Sequence, residues 1–162
     1  MIQIERLAPG DARGAALWDA FVMACPQATF FHRSAWQTLM REVFHHDTHF
    51  LYATQAGRIT GVLPLAHVKS MLFGKSLTSL PFAVYGGVAA DDEASAVALE
   101  QEAERLAREL CVDHLELRQL QRQHEGWPRQ EVYVTFRKSI LPDEEANMLA
   151  IPRKQRAMVR KG

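Results

Sequence analysis

The sequence predicts an α/β (α+β) domain in which helices flank a mixed, mostly antiparallel sheet. Residues 48–69 contain two aliphatic runs separated by the turn 55–58, and this pattern predicts a β-hairpin. Residues 93–110 have the clearest helical periodicity, and Asp91 and Asp92 precede them, where the helix dipole favours acidic groups. Strands and helices that alternate in this mixed order favour a sheet covered by helices.

Composition limits the class of protein. The 162 residues, 48% of them hydrophobic, are enough for one hydrophobic core and too few for two ordinary domains. Nineteen basic residues balance nineteen acidic ones, so the whole chain has no net attraction for nucleic acid or anionic membranes. Cys25 and Cys111 lie in apolar helical patterns, which favours reduced, buried thiols and a cytoplasmic location. No signal peptide or transmembrane segment is predicted.

The N-terminal third predicts one strand and two helices. Residues 2–7 alternate apolar and polar side chains, as expected for a short strand before the break at Pro9. A helix follows and ends at Pro26, and Ser34 is placed to cap a second helix. The two predicted apolar stripes contain Leu17, Trp18, Phe21, Val22, Trp36, Leu39, Met40 and Val43.

The rest of the domain is predicted to complete the sheet. Gly61 and Pro64 in the second hairpin arm indicate a bulge or bend, because glycine weakens a strand and proline cannot donate to its ladder. Glu116 and Arg118 share one strand face and predict an ion pair. Further strands are predicted at 76–80, 112–117 and 132–136, and a short helix at 143–149.

The last twelve residues differ in composition from the rest. Residues 151–162 hold five of the nineteen basic residues in the pattern of an opening helix. The sequence therefore predicts an N-terminal domain over residues 1–150 and the basic start of a second domain over 151–162. Two interpretations of the charge stay open: Arg153, Lys154 and Arg156 could contact tRNA phosphates, or they could form the solvated face of a helix.

Tyr85, Gly86 and Gly87 are the leading candidates for ligand contact. Glycines adopt backbone angles that other residues avoid and let a ligand or a second backbone approach closely, and a phenol can stack and hydrogen-bond. A tight turn with a packed tyrosine would give the same pattern. Arg33, with its fork of donors, and Trp36 could line a cleft for a phosphate or carboxylate group, although a helix start explains them as well.

Other polar residues give weaker signals. Lys69 lies beside a predicted hairpin tip, where its charge could meet a diphosphate or remain solvated. His45, His46 and His49 do not predict a metal site, because a strand begins among them and no third set of ligands occurs elsewhere. No catalytic triad or activated cysteine stands out, so the sequence assigns no catalytic residue.

Several segments together resemble the FemAB-type aminoacyl transferases, specifically the FemAB-like proteins of exosortase and exopolysaccharide systems. The segments are 29–32 with Trp36, 57–65, 68–77, 79–82, 85–87, 115–118 and 152–156. The resemblance implies a Gcn5-related N-acetyltransferase-like domain, the first of two in tandem. It implies that this chain is a substrate-binding half of the enzyme, inactive alone.

The resemblance also implies the partners of the whole enzyme. Its donor would be aminoacyl-tRNA, and its acceptor a nucleotide- or lipid-linked saccharide or peptide precursor of the cell wall or an exopolysaccharide. Acetyl-CoA is not expected as a cofactor of this domain. The Arg/Gln-x-x-Gly-x-Gly/Ala phosphate loop is missing, and Asp91 and Asp92 would repel an anion at the helix start.

Two alternatives to a half-enzyme stay open at the level of sequence. One is a stand-alone N-acetyltransferase that uses acetyl-CoA. The other is a non-catalytic module that forms a homodimer through exposed apolar surface, because large apolar patches on a soluble protein tend to be interaction sites.

Overall fold

The computed structural model describes residues 1–70, 72, 74–119, 126–129 and 134–161. Contacts divide the chain into two compact units, Met1–Gln123 and His124–Gly162. The elements of the first unit are β1 (Gln3–Leu7), α1 (Ala12–Ala24), α2 (Ala35–Glu42), β2 (Asp47–Gln55), β3 (Arg58–Ser70), β4 (Gly74–Thr78), β5 (Ala89–Ala90), α3 (Glu93–Glu109) and β6 (His114–Glu116), with a 3₁₀ turn at Phe30–His32.

The sheet of the first unit has the strand order β1-β2-β3-β4-β6, and the short β5 pairs with the beginning of β3. The pairs from β1 to β4 are antiparallel, whereas β4 and β6 are parallel. Because parallel strands need a crossover connection, α3 lies between β4 and β6 in the chain. The predicted mixed, mostly antiparallel sheet flanked by helices is confirmed.

Each face of the sheet packs against helices. On one face, Trp18 of α1 stacks on Phe50 of β2 with ring centroids 5.3 Å apart, and Met40 of α2 joins the same core. On the other face, Leu99 and Leu106 of α3 cover the aliphatic side chains of β2, β3 and β4. The alternation along each strand therefore buries both faces, and the hydrophobic effect holds the helices to the sheet.

A β-bulge lies where Gly61 predicted one. Ala53 pairs with Gly61 and Thr54 with Ile59, so Thr60 is an extra residue on β3. A Cβ atom at Gly61 would come within 2.9 Å of Leu99 Cδ1, which explains the glycine. The register continues without a break past residue 64, so the predicted bend is at the glycine and not at the proline.

The two N-terminal helices differ from prediction in detail. Leu17 and Val43 are exposed, and the buried face of α2 includes Gln37, whose Nε2 donates to the Leu7 carbonyl at 3.0 Å. Ser34 occupies the position before α2 but makes no side-chain cap, because its backbone is already helical (φ −59°, ψ −28°) and a capping residue needs an extended one. The end of α1 before Pro26 and the start of α2 after Ser34 were predicted correctly, whereas the cap by Ser34 and the exact buried stripes were not.

Some sequence-based expectations are corrected. The predicted strand 112–117 shortens to β6. Of the predicted strand 132–136, residues 132 and 133 lie outside the described residues. Val134 and Phe136 are 80% and 93% exposed in irregular backbone, because their alternation has no core to cover. Cys25 is buried as predicted, whereas Cys111 is exposed, at a positive φ just after α3.

The second unit contains two short helices, α4 (Glu144–Leu149) and α5 (Arg153–Val159). Asp143 caps α4 by accepting the Ala146 N–H at 2.9 Å, and α5 begins directly after Pro152. The predicted helix at 143–149 is confirmed. The predicted boundary at residue 150 falls inside this unit, and a second domain beginning there stays a prediction. No helix among the described residues is long and apolar enough to cross a membrane.

Candidate functional site

The segment that follows β4 folds back onto the chain that follows β6. Ser79 donates its N–H to the Glu116 carbonyl at 2.9 Å, which extends the parallel pairing by one step. The Arg118 N–H then donates to Ser79 Oγ at 2.7 Å. The Arg118 carbonyl accepts the N–H groups of Gly86 and Gly87 at 3.2 and 2.9 Å. Backbone hydrogen bonds therefore hold Gly86 and Gly87 against the chain that follows β6.

Gly86 and Gly87 are needed for close packing and not for unusual backbone angles. Neither has a positive φ, so the expectation of special angles is wrong. A Cβ atom at Gly86 would lie 3.0 Å from the Ser79 carbonyl oxygen, and one at Gly87 would lie 3.0 Å from the Arg118 carbonyl oxygen. Of the two predicted reasons for the glycines, close approach of a second backbone is the one observed. Ligand contact by Tyr85 stays a prediction.

His32 connects the 3₁₀ turn to this segment. The side chain is 3% exposed, and its Nδ1 accepts the Thr29 N–H at 2.9 Å. Nε2 therefore carries the proton and donates to the Gly87 carbonyl at 2.8 Å. Thr29 Oγ1 donates to the Tyr85 carbonyl at 2.8 Å. Burial lowers the pKa of His32, and the hydrogen bonds to Gly87 and Thr29 oppose that shift, so the neutral imidazole is favoured.

Arg33 is directed towards its own chain. Its Nη2 lies 3.2 Å from Asp19 Oδ2, and its Nη1 contacts Met23 Sδ at 3.0 Å. The other oxygen of Asp19 accepts the Ser34 N–H at 2.8 Å. Asp19 thus joins α1 to the start of α2, and the guanidinium group is half-buried in this connection. A phosphate or carboxylate ligand of Arg33 would have to share the guanidinium with Asp19.

Trp36 belongs to a cluster of three aromatic rings with Phe30 and Phe31. Their ring centroids are 5.6 to 5.9 Å apart, and Trp36 Nε1 donates to the Phe30 carbonyl at 3.1 Å. Phe30 is largely exposed, while the other two rings are partly covered. Because Thr29 and His32 bond residues 85 and 87, the structure brings this cluster and the 85–87 segment into one region.

Exposed stacked rings near the end of β4 had not been predicted. Phe44 and Phe82 stack with centroids 4.5 Å apart, and His46 lies nearly parallel to both at 6.4 Å. Phe82 is 64% exposed and has φ +70°, and Leu80 also has a positive φ. Left-handed backbone at residues other than glycine costs about 1–3 kcal/mol and concentrates at functional sites. Such rings provide a flat apolar surface for a sugar or a base.

Two carboxylates, those of Glu116 and Glu100, bond the chain that follows β6. Glu116 accepts from Arg118 Nε at 2.7 Å, which confirms the predicted ion pair, and Arg118 Nη1 donates to the Ala83 carbonyl at 3.0 Å. Glu100 of α3 is only 2% exposed and accepts from Gln119 Nε2 at 3.3 Å. The helical pattern gave no signal for Glu100, because a carboxylate is ordinarily assigned to the solvent face.

The start of α3 is occupied by a carboxylate of the chain itself. Asp92 Oδ1 accepts the Ser95 N–H at 2.8 Å, and Asp92 Oδ2 accepts from Ser95 Oγ at 3.2 Å. Thr60 Oγ1 lies 2.8 Å from Ser95 Oγ, and Glu93 adds a second acid in the first turn. A helix start attracts anions through its free N–H groups and its dipole. Here the Asp92 carboxylate accepts one of these N–H groups, that of Ser95, and places a negative charge at the helix start.

Lys69 belongs to a different polar group near the β3–β4 turn. Its Nζ lies 2.7 Å from Asp47 Oδ2, so among the described residues its ion-pair partner is Asp47 and not a member of the 85–87 segment. Neither ring nitrogen of His49 has a hydrogen-bond partner in the described part of the chain. Burial, with the charges of Arg6 and His67, lowers the pKa of His49 to about 4. Within the same described residues, no group of three or more His, Cys, Asp or Glu side chains could hold a metal ion.

Comparisons with known proteins identify the fold. No protein-family model matches the sequence, and no curated protein matches it. A GNAT family acetyltransferase from Staphylococcus aureus superposes with a TM-score of 0.56 at 12% identity, over 85% of this chain and 98% of its own. A ribosomal-protein-alanine N-acetyltransferase from Brucella melitensis biovar Abortus gives 0.55 at 13% identity, over 86% and 99%.

A third match is an aminoglycoside acetyltransferase from an uncultured soil metagenomic sample, in complex with sisomicin. It has a TM-score of 0.56 at 13% identity and covers 85% of this chain and 97% of its own. The chain has the Gcn5-related N-acetyltransferase (GNAT) fold. The predicted GNAT-like domain is therefore confirmed as a fold, and the FemAB-type assignment stays a prediction.

The missing phosphate loop before α3 is a feature of the sequence, and the expectation that acetyl-CoA is not a cofactor stays a prediction. The glycines nearest to α3, at 86 and 87, donate their N–H groups to the Arg118 carbonyl, and the Ser95 amide at the helix start donates to Asp92. Arg153, Lys154 and Arg156 lie on α5 in the second unit, as the predicted opening helix requires. The predicted site residues thus divide into a group joined around His32, Lys69 at the β3–β4 turn, and the basic residues of α5.

Proposed function

We propose that this GNAT-fold chain is the substrate-binding half of a FemAB-like aminoacyl or acyl transferase, which acts on a cell-wall or exopolysaccharide precursor. The observation that carries this proposal is the Asp92 carboxylate at the start of α3, bonded to Ser95. An enzyme that held a CoA pyrophosphate at these amides would first have to displace Asp92. A domain that binds an acceptor instead has no such requirement.

The proposed acceptor surface is the region around His32. Thr29 and His32 donate to the carbonyl groups of residues 85 and 87, so the Tyr85 backbone is fixed against the 3₁₀ turn. Tyr85, Gly86, Gly87, Arg33 and Trp36 would then contact a nucleotide- or lipid-linked precursor, and the exposed ring of Phe82 offers a further stacking surface. Lys69, Arg153, Lys154 and Arg156 would act elsewhere, the last three on aminoacyl-tRNA in a whole enzyme.

A titration with a nucleotide-linked muropeptide precursor tests this proposal. Amide chemical shifts of residues 79–88 should move on binding, and Tyr85→Ala should weaken binding by about tenfold, a loss of about 1.4 kcal/mol. Tyr85→Phe keeps the ring and is the matched control for stacking. If millimolar precursor left the amides of residues 79–88 unmoved while the protein remained folded, the proposal would be wrong.

A stand-alone acetyltransferase is the second candidate. The superpositions cover 97–99% of the three matched acetyltransferases, so nearly the whole fold of each has a counterpart in this chain. Two of them are named for amine acceptors, an alanine of a ribosomal protein and an aminoglycoside. Calorimetry with acetyl-CoA separates the candidates. Tight binding and acetylation of an amine by the purified chain would replace the first proposal, whereas absence of binding would leave it as the better one.

A further inference from the structure

A cleft in the first unit is lined by residues outside the region around His32. Its volume is about 480 Å³, and it lies between β1, α1, β2 and the β2–β3 turn. Clefts of roughly 300–1,000 Å³ are typical of small-molecule sites. The residues that give it chemical character are Gln3, Glu5, Leu17, Tyr52, Thr54 and Ile59.

Glu5 and Tyr52 form the polar wall of this cleft. They are direct cross-strand partners in the β1–β2 ladder, so both side chains project from rigid backbone. The Tyr52 hydroxyl donates to Glu5 Oε2 at 3.2 Å, and the Thr54 hydroxyl donates to Glu5 Oε1 at 3.1 Å. Each carboxylate oxygen takes one hydrogen bond from these hydroxyls and can accept another.

The charged side chain of the cleft is negative and has no ion-pair partner among the described residues. Glu5 is the charged side chain among the lining residues, and no Lys or Arg pairs with it in the described part of the chain. Burial raises the pKa of Tyr52, and the negative charges of Glu5 and Asp11 raise it further, which keeps the phenol a neutral donor. A carboxylate with neutral donors on one side favours a cation on its open side.

The remainder of the wall is apolar. Leu17 is exposed at the cleft, and Ile59, near the start of β3, also lines it. The Tyr52 ring packs edge-on to Trp18 at 6.3 Å, which holds its orientation. An aromatic ring held beside a carboxylate attracts organic cations through its π face as well as through the charge.

We infer that this cleft binds an organic ammonium ion with a small apolar body. The ammonium group donates to Glu5, and the apolar body lies against Tyr52 and Leu17. No Lys, Arg or His side chain lines the cleft to meet an anion, and the α-amino group of Met1, which also lines it, makes no ion pair with Glu5 in the described part of the chain. The inference uses no residue of the proposed acceptor surface and stands whether or not the proposed function is correct.

Benzylamine is a suitable probe, with benzyl alcohol as its uncharged counterpart. Near neutral pH, benzylamine should shift the amides of Gln3, Tyr52, Thr54 and Gly57 in a saturable way, and benzyl alcohol should bind at least about tenfold more weakly. Raising the salt concentration should weaken benzylamine binding, because the charge of an exposed carboxylate is screened.

Substitutions of Glu5 test whether benzylamine binds in this cleft. Glu5→Gln keeps one acceptor oxygen and turns the other into an NH₂ group that can donate to a hydroxyl, and its loss of charge should lower benzylamine affinity by about tenfold. Glu42→Gln, at an exposed acid of α2, should leave the affinity within about twofold. If Glu5→Gln did not fold, Glu5→Asp, which withdraws the carboxylate by one methylene, should still show a loss of affinity. Equal affinity for benzyl alcohol, unchanged binding by the Glu5 variants, or shifts confined to other residues would each overturn the inference.

Discussion

His32 and Gly87 are 55 positions apart in sequence and 2.8 Å apart in space, and the bond between them joins the 3₁₀ turn to the segment after β4. Nδ1 of His32 accepts the Thr29 N–H, so the proton of the neutral ring is on Nε2. That proton forms the bond to the Gly87 carbonyl. One neutral imidazole therefore satisfies a backbone donor on one segment and a backbone acceptor on another. This explains why a histidine is buried at that position and remains uncharged.

Loss of His32 should destabilise the first unit. His32→Ala leaves the Gly87 carbonyl and the Thr29 N–H without this partner and opens a small cavity, so we expect a loss of about 2–3 kcal/mol in the free energy of unfolding. Urea denaturation measures it. His114→Ala, at an exposed position of β6, is the control and should change stability by less than about 0.5 kcal/mol. Equal effects of the two substitutions would contradict the structural role of His32.

Acid should destabilise the fold through His49. Its pKa is about 4 in the folded chain, below the ordinary value of 6.5, so the unfolded chain takes up the proton first as the pH falls. The stabilisation is complete above pH 6.5 and declines by up to about 1.4 kcal/mol per pH unit between 6.5 and 4. Urea midpoints of the wild type and of His49→Leu across this range test the prediction. The variant should show the shallower dependence, and parallel curves would refute it.

Removal of the Asp92 carboxylate should have two effects. Asp92→Ala loses the cap on α3 and should cost about 1 kcal/mol in stability. It also frees the amide of Ser95, so inorganic sulfate should raise the melting temperature of the variant more than that of the wild type. Glu42→Ala, which removes an exposed acid near the end of α2 and no helix cap, is the control for a general salt effect. Identical responses to sulfate in all three proteins would argue against a blocked anion site at α3.

A side chain at residue 87 should disrupt the backbone contact between Gly87 and Arg118, which follows β6. In Gly87→Ala the added Cβ would lie 3.0 Å from the Arg118 carbonyl oxygen, and overpacking of this kind costs about 1–3 kcal/mol. Gly57→Ala is the comparison, because nothing lies within 4 Å of its Cβ and its cost comes from the positive φ alone. Faster amide exchange at Arg118 and Gln119 should accompany the loss only in Gly87→Ala. Unchanged exchange there would indicate that the segment is held in another way.

Local pattern was a good guide to the sheet and a poor one to the site. The hairpin, the bulge at Gly61 and the capped start of α3 depend on residues close in sequence, so periodicity and capping rules could identify them. The bond from His32 to Gly87 and the burial of Glu100 depend on segments that meet only after folding. The left-handed backbone at Phe82 likewise has no signature, because a phenylalanine after a proline gives no reason to expect it.

The resemblance to the FemAB-type transferases identified two segments of the candidate site that periodicity did not. It selected both residues 29–32 and 85–87, and the structure joins these two segments through Thr29 and His32. It did not identify the Arg33 pair with Asp19, nor the Lys69 pair with Asp47, because an ion pair between distant segments depends on tertiary packing. Fold could therefore be predicted more fully than the roles of individual charged residues.

The extra residue in β3, Thr60, also fixes the position of α3 relative to the β2–β3 hairpin. Thr60 gives its carbonyl to Asp91 and its hydroxyl to Ser95, so the crossover helix is attached to the hairpin at one fixed height along the strands. A length change in the Ala56–Gly57 turn, which lies beyond that attachment, would leave the helix in place. Deletion of Thr60 would instead remove this attachment point. α3 would then shift along the sheet, and Leu99 and Leu106 would no longer pack on the same strand residues.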